Sequence, residues 1–292
     1  MNSIQEILLE LKLINEKSLV QYSSSTRDNN SVAVLKCLYS DIIFLNSAKH
    51  ISSDYYSNKN DLSYWNMQTI KQARNETLKD DLRRSNFLDP FITAKNWVDI
   101  GTGLGGILHL CKEKVKCVSA VEPQGYIRNI IKEEGFNVFS DISELEDYSF
   151  DVVSLFHVYE HISNPISFLK EAQKKLNTSG LLVIEVPHAK DALLSLYESD
   201  SFKKFTLWSE HLLLHTRESL KKFVEEAGFK VLNIQGIQRY SLANHLMWLA
   251  KGLPGGHKKW SQISSDLLNN EYEKILGNLD LTDTLLLVAE KK

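Results

Sequence analysis

From Trp97 to about Tyr240 the chain alternates between two hydrophobic periods, and this alternation limits its fold more than any other feature. Short runs rich in β-branched and aromatic residues (NWVDI, VKCVSAVEP, FNVFSDI, FDVVSLFHV, SGLLVIEVP, KVLNIQGIQRY) stand between or beside segments with helical apolar spacing (LGGILHLCKEK, GYIRNIIKEEG, NPISFLKEAQKKLN, TRESLKKFVEEAGF). Such alternation predicts an α/β fold with a mainly parallel, helix-covered sheet. The punctuation agrees. Asn164 stands before Pro165 at one helix start, and Thr216 caps another. That second helix presents Leu220, Phe223, Val224 and Ala227 on one face and stops at Gly228.

Either side of this block the pattern differs. Residues 1–95 read as an N-terminal hairpin and helical extension: an amphipathic start (Ile4, Leu8, Leu11), the runs VAVLKC and DIIFL as a hairpin, then a charged helix ending before Pro90. Arg74, Arg83 and Arg84 on that helix read as a solvated face. Residues 96–292 form the main domain. Within it, 241–278 read as helices interrupted by GLPGGH, a natural lid or substrate wall, and TDTLLLVAEKK closes the chain as a strand.

Composition narrows the function. With 34 basic against 37 acidic residues and a net charge of −3, no electrostatic nucleic-acid binder is indicated. Cys37, Cys111 and Cys117 have neither metal spacing nor an even count. No apolar run approaches the roughly 18 residues of a membrane span. The charged N-terminus has no signal-peptide h-region. The expectation is a cytoplasmic protein acting on a small-molecule or glycan substrate, its oligomeric state unspecified.

The first strand runs into a glycine-rich turn, VDIGTGLGG, with Gly101, Gly103 and Gly106 in G-x-G-x-x-G spacing. A nicotinamide dinucleotide and S-adenosylmethionine (SAM) both suit a turn that offers backbone N–H groups. Asp99, two residues before Gly101, separates them. A carboxylate there opposes a pyrophosphate but favours the ammonium and sulfonium of SAM. Glu122, ending the next strand, can accept ribose hydroxyls from either cofactor. Asp141, after the third strand, can take an adenine amino group.

The segments VDIGTGLG, AVEP, FSDI, FDVVSLFHVYEHISNP and LNTSGLLVIEVP, in that order, resemble the class I SAM-dependent methyltransferases over about residues 97–235. The resemblance implies a Rossmann-like seven-stranded sheet with an antiparallel last strand. It also implies SAM as cofactor, with Asp99, Gly101, Thr102 and Gly103 at its methionine end. Glu122 and Pro123 would meet the ribose, Asp141 and Ile142 the adenine, and Phe156 and His157 would pack beside it.

Two histidine clusters follow. FHVYEHI matches the H-x-x-E-H of inverted zinc proteases at His157, Glu160 and His161, but it follows a strand rather than lying on a helix. Some quinone O-methyltransferases carry an acidic metal-binding residue where His157 stands, so the resemblance implies no metal here. WSEHLLLHT resembles a segment of sugar C-methyltransferases in which a histidine faces the substrate. Glu210 and His211 match it, whereas Leu214 and His215 replace its aromatic pair. His211 is the candidate general base, with Glu210 and His161 beside it. His215, just before the capping Thr216, reads as structural. In the N-terminal zone, VLKCLYSDIIFLN and DYYSNKNDLSYW resemble a zinc-binding segment of the same relatives, but Cys37 stands alone. A metal-free hairpin is expected, with Tyr64 and Trp65 able to close over cofactor or substrate. In the excursion, Arg239, Asn244, His245 and His257 supply polar contacts for a ring-bearing ligand.

The tail resembles methyltransferases of surface-polysaccharide biosynthesis. The leading expectation is O-methylation of a sugar, nucleotide-sugar or glycan terminus. Methylation of a quinone or other small phenol is the alternative enzyme reading, and a catalytically inactive SAM-binding scaffold the alternative of another class.

Overall fold

The computed structural model describes residues 4–51, 55–57 and 69–292. Two sheets carry the architecture. The strands are β1 Leu19–Ser23, β2 Val34–Cys37, β3 Ile43–Leu45, β4 Asn96–Ile100, β5 Cys117–Val121, β6 Asn137–Phe139, β7 Phe150–Phe156, β8 Leu176–Pro187, β9 Leu213–Leu214, β10 Phe229–Ile237 and β11 Thr284–Lys291. The helices are α1 Ile4–Glu10, α2 Ile70–Ile92, α3 Gly106–Cys111, α4 Gly125–Glu133, α5 Pro165–Lys175, α6 Ala192–Ser195, α7 Asp200–Thr206, α8 Arg217–Glu226, α9 Leu242–Lys251, α10 Gly256–Lys259 and α11 Asp266–Asn278.

The large sheet has seven strands in the order β10-β11-β8-β7-β4-β5-β6. The run from β8 to β6 is parallel, and β11 pairs antiparallel with both β8 and β10. This is the expected seven-stranded α/β sheet with its last strand reversed. Alternation along β11 fills both faces. Leu285 and Leu287 join the core that also holds Leu8, Val34 and Phe44, whereas Leu286 and Val288 join the core under α2, α3 and α4.

Strand order switches between β4 and β7. A crevice therefore opens beyond their carboxyl ends, the usual ligand position in open α/β sheets. The N-terminal hairpin is the antiparallel pair β2–β3, extended by β1 on one side and by β9 on the other. The β3–β9 pairing fastens the N-terminal zone beside the segment that carries His211.

The helix expected to end before Pro90 continues through it to Ile92. Proline removes one N–H and crowds the preceding turn, so the helix gives up one intrahelical bond there. Leu88 and Ile92, either side of it, are fully buried. Their burial contributes roughly 1.5–3 kcal/mol each, enough to offset one missing bond.

Candidate active site

The glycine turn follows β4. Gly101 and Gly103 adopt φ values of +69° and +52°, which L side chains rarely take. A Cβ at Gly101 would also collide with Val158. Four of the turn's N–H groups have partners within the chain. Gly101 and Thr102 donate to the Val121 carbonyl (2.8 and 3.3 Å), Gly105 donates to the Thr102 carbonyl, and Gly103 donates to Glu122 Oε2 at 3.0 Å. The second Glu122 oxygen accepts from Gln124 N at 2.9 Å. The chain's own carboxylate thus places negative charge against the glycine turn.

Glu122 is 3 % exposed, and burial pushes its carboxyl up to about 7 against the pull of those N–H donors. Asp99 is equally buried and faces the sheet: Oδ1 accepts from Ser154 Oγ at 2.6 Å, and that hydroxyl accepts from Trp97 Nε1 at 2.8 Å. Burial raises Asp99 to about 7, partly opposed by the Ser154 bond.

Pro123 follows Glu122. Asp141, expected at the end of the third strand, lies two residues beyond β6 and caps the short turn Ile142–Glu144 through a 2.9 Å bond from Ser143 N. Phe156 ends β7, with the Arg84 guanidinium 5.0 Å from its ring centre. His157 follows with φ +56°. The residues expected around SAM thus share one edge of the sheet. They fit a cation of that shape: three acidic groups, left-handed glycines where the ligand must approach closely, and a buried Gln124 Oε1 with no hydrogen-bond partner among the described residues.

The arginines do not form a solvated face. Arg83 and Arg84 turn inward and hold Glu185 of β8 through bonds of 2.7–3.0 Å. His157 Nε2 lies 3.4 Å from the same carboxylate. Burial opposes ionisation of Glu185, but these cations hold its carboxyl well below the usual range. Arg74 donates to the Leu104 carbonyl beside the glycine turn and pairs with Glu134. The sequence showed these arginines, but the partner on a distant strand left no signal.

Beyond this edge lies a cavity of about 680 Å³ between α2, the carboxyl end of β8 and the α9–α10 excursion. Its lining includes His157, His161, His211, Asp191, Arg239, Tyr240, Asn244, His245, Trp248 and His257, several of them from the excursion. Parts of its polar set hold the wall itself. Asn244 Oδ1 accepts from Gly255 N and Gly256 N at 3.0 and 3.2 Å. Arg239 pairs with Asp283, and His245 is held between Tyr272 and Gln238. Tyr64 and Trp65 lie outside the described residues.

His161 and His211 come together with ring centres 5.1 Å apart, and Trp208 stands edge-on to both. Glu160 Oε1 is 3.3 Å from His157 Nδ1 and 3.9 Å from His161 Nε2. The turn Tyr159–His161 is a short 3₁₀ segment, which removes the helix an inverted zinc-protease motif requires. Burial opposes Glu160's charge, but the His157 bond and the imidazoles around it bring it down to about 2. Burial lowers His161 and brings His211 down to about 3, so both imidazoles rest neutral. Tyr55 Oη donates to Glu210 Oε1 at 3.0 Å, and Tyr56 Oη lies 3.2 Å from His161 Nδ1. This tyrosine pair, one segment before Tyr64 and Trp65, is the N-terminal contribution to the cluster. His215 is structural, as read: it is buried, stacks on Tyr159 and meets Ser219 Oγ at 3.0 Å.

The family model described as a methyltransferase domain matches residues 70–234. The chain belongs to this family. It is a SAM-dependent methyltransferase, and the match takes in α2, the glycine turn and both histidine clusters. No curated protein matches the chain. Among solved structures it is similar to a SAM-dependent methyltransferase from Archaeoglobus fulgidus, at 22% identity over 79% of this chain and 100% of that one, TM-score 0.54. It is also similar to a SAM-dependent methyltransferase from Thermotoga maritima, at 19% identity over 76% and 96%, TM-score 0.50. At these identities the likeness is one of fold.

Proposed function

We propose that this methyltransferase transfers the methyl group of SAM to a hydroxyl of a sugar, nucleotide-sugar or glycan terminus in surface-polysaccharide biosynthesis, in the cytoplasm. The observation that carries the acceptor reading is the cavity. Its volume suits a polar ligand of one or two rings. Its wall pairs aromatic faces (Tyr240, Trp248) with fixed polar groups (Arg239, Asp283, Asn244), a combination suited to carbohydrate.

SAM supplies an electrophilic methyl when bound. The chain holds it with Asp99, Gly101, Thr102 and Gly103 at the methionine end, Glu122 and Pro123 at the ribose, Asp141 and Ile142 at the adenine, and Phe156 and His157 alongside. The remaining work is positioning the acceptor in line and removing its proton. His211, neutral at rest and on the cavity wall, is the proposed proton acceptor, with His161 and Glu210 orienting it. A base held so low accepts a proton only as the new bond forms and releases it at once.

The test is a labelled-methyl transfer screen of the purified chain over nucleotide-sugars and glycan acceptors, with calorimetry for SAM, S-adenosylhomocysteine and NAD. Transfer to a sugar hydroxyl supports the reading. Transfer only to phenols, or tight NAD binding without SAM binding, overturns it. Full turnover by His211→Ala would remove the base assignment.

A further inference from the structure

We infer that Glu160, His161 and His211 form a binding site for one borderline divalent transition-metal ion on the cavity wall. One ligand atom from each lies within 4.8 Å of the other two. Tetrahedral ligands on such an ion stand about 3.3 Å apart, so a small ring rotation closes the set. The three residues come from two separate parts of the chain. Glu160 and His161 follow β7, and His211 precedes β9. A backbone bond from Leu212 N to the Glu160 carbonyl (2.9 Å) fixes the two segments together.

Two atoms ask for an explanation. Glu160 is 1 % exposed, and its Oε2 has no hydrogen-bond partner among the described residues; neither has His211 Nδ1. A buried polar atom left unmatched costs about 1–3 kcal/mol, so two of them on residues whose ligand atoms cluster within 4.8 Å point to a missing cation.

The surroundings are those of a ligated ion. His157 Nδ1 is 3.3 Å from Glu160 Oε1, which fixes the carboxylate and leaves Oε2 available. Tyr56 Oη meets His161 Nδ1, leaving Nε2 on the Glu160 side. Metal-bound histidines and carboxylates are ordinarily oriented through their other atom in this way. Two imidazoles and one carboxylate favour Zn²⁺, Co²⁺ or Fe²⁺ over Mg²⁺ or Ca²⁺. His161 and His211 both line the cavity, so open coordination positions face the acceptor. The absence of a metal expected from His157 rested on one position of one motif. His211, far along the chain, supplies the third ligand.

The inference concerns the site of the proposed reaction and is separable from it. An imidazole lone pair committed to an ion does not take a proton, so an ion-bound His211 positions the acceptor and is not its base. The test is binding of Co²⁺ and Zn²⁺ to the chelator-treated full chain, read by calorimetry and by the visible absorption of bound Co²⁺. One equivalent is expected, with affinity falling roughly a hundredfold or more in His211→Ala and His161→Gln, and about ten- to a hundredfold in His157→Gln. Zn²⁺ should raise the thermal midpoint of the parent chain but not of the ligand variants, which also reports whether those variants fold. No binding, or binding that survives both ligand substitutions, overturns the site. Loss of turnover in His211→Ala without any metal binding would leave the base reading standing alone.

Discussion

At the residue scale, the decisive group is Glu122. It sets the chain's own charge against the turn of Gly103 and offers itself to the ribose proposed above. Burial holds Asp99 and Glu122 near 7, so both gain charge as pH rises through that value. Affinity for SAM is therefore expected to increase from pH 6 to pH 8 in calorimetry. Glu122→Gln should weaken binding by about ten- to a hundredfold, the worth of a hydrogen bond to a charged group, and flatten the pH profile. The acidic residues and glycines here were legible because they sit within a few positions of a recognisable strand end. The direction of the turn's N–H groups was not, since it depends on where β5 lies.

At the element scale, α2 is the closing piece. Its arginines reach β8 across the edge of the sheet and share one buried carboxylate. Arg84→Met leaves the buried Glu185 with a single arginine, and stability should fall by about 1–3 kcal/mol in denaturant unfolding. No change in unfolding would show that Arg83 alone suffices. Gly101→Ala forces a left-handed alanine against Val158, and a cost of about 1–3 kcal/mol is expected together with weakened SAM binding. Strand and helix positions inside the sheet followed from periodicity, because both faces of the sheet are buried and each element repeats a regular pattern. Short elements did not. β9 and α6 carry too few residues for a period, although Asp191 caps α6 and Ser199 caps α7.

At the scale of the whole molecule, two sets of buried groups set opposing pH dependences. His188 and His245 are brought to about 4 and His215 to about 3 from 6.5, so as pH falls below 6.5 the unfolded chain takes up protons first and stability is lost. Asp191 is raised to about 8 from 3.8 by burial and by Asp283, so stability is lost instead as pH rises from about 4 to 8. The two can be separated by thermal melts. Relative to the parent chain, Asp191→Asn, which can still cap α6, should gain stability progressively from pH 4 to pH 8. His245→Gln should gain most at pH 5 and little at pH 8. Parallel offsets at every pH would show that folding shifts neither group's titration.

The sequence by itself determined the class of fold, because hydrophobic period and local turn chemistry are written in neighbouring residues, and its ordered motifs carried the resemblance that implied the family and the antiparallel last strand. Tertiary structure alone decided that Arg83 and Arg84 face inward, that Tyr55 and Tyr56 reach the histidine cluster, and that Glu160, His161 and His211 meet. Those contacts join residues far apart in the chain, and their geometry is fixed only when strand pairing and core packing bring the segments together.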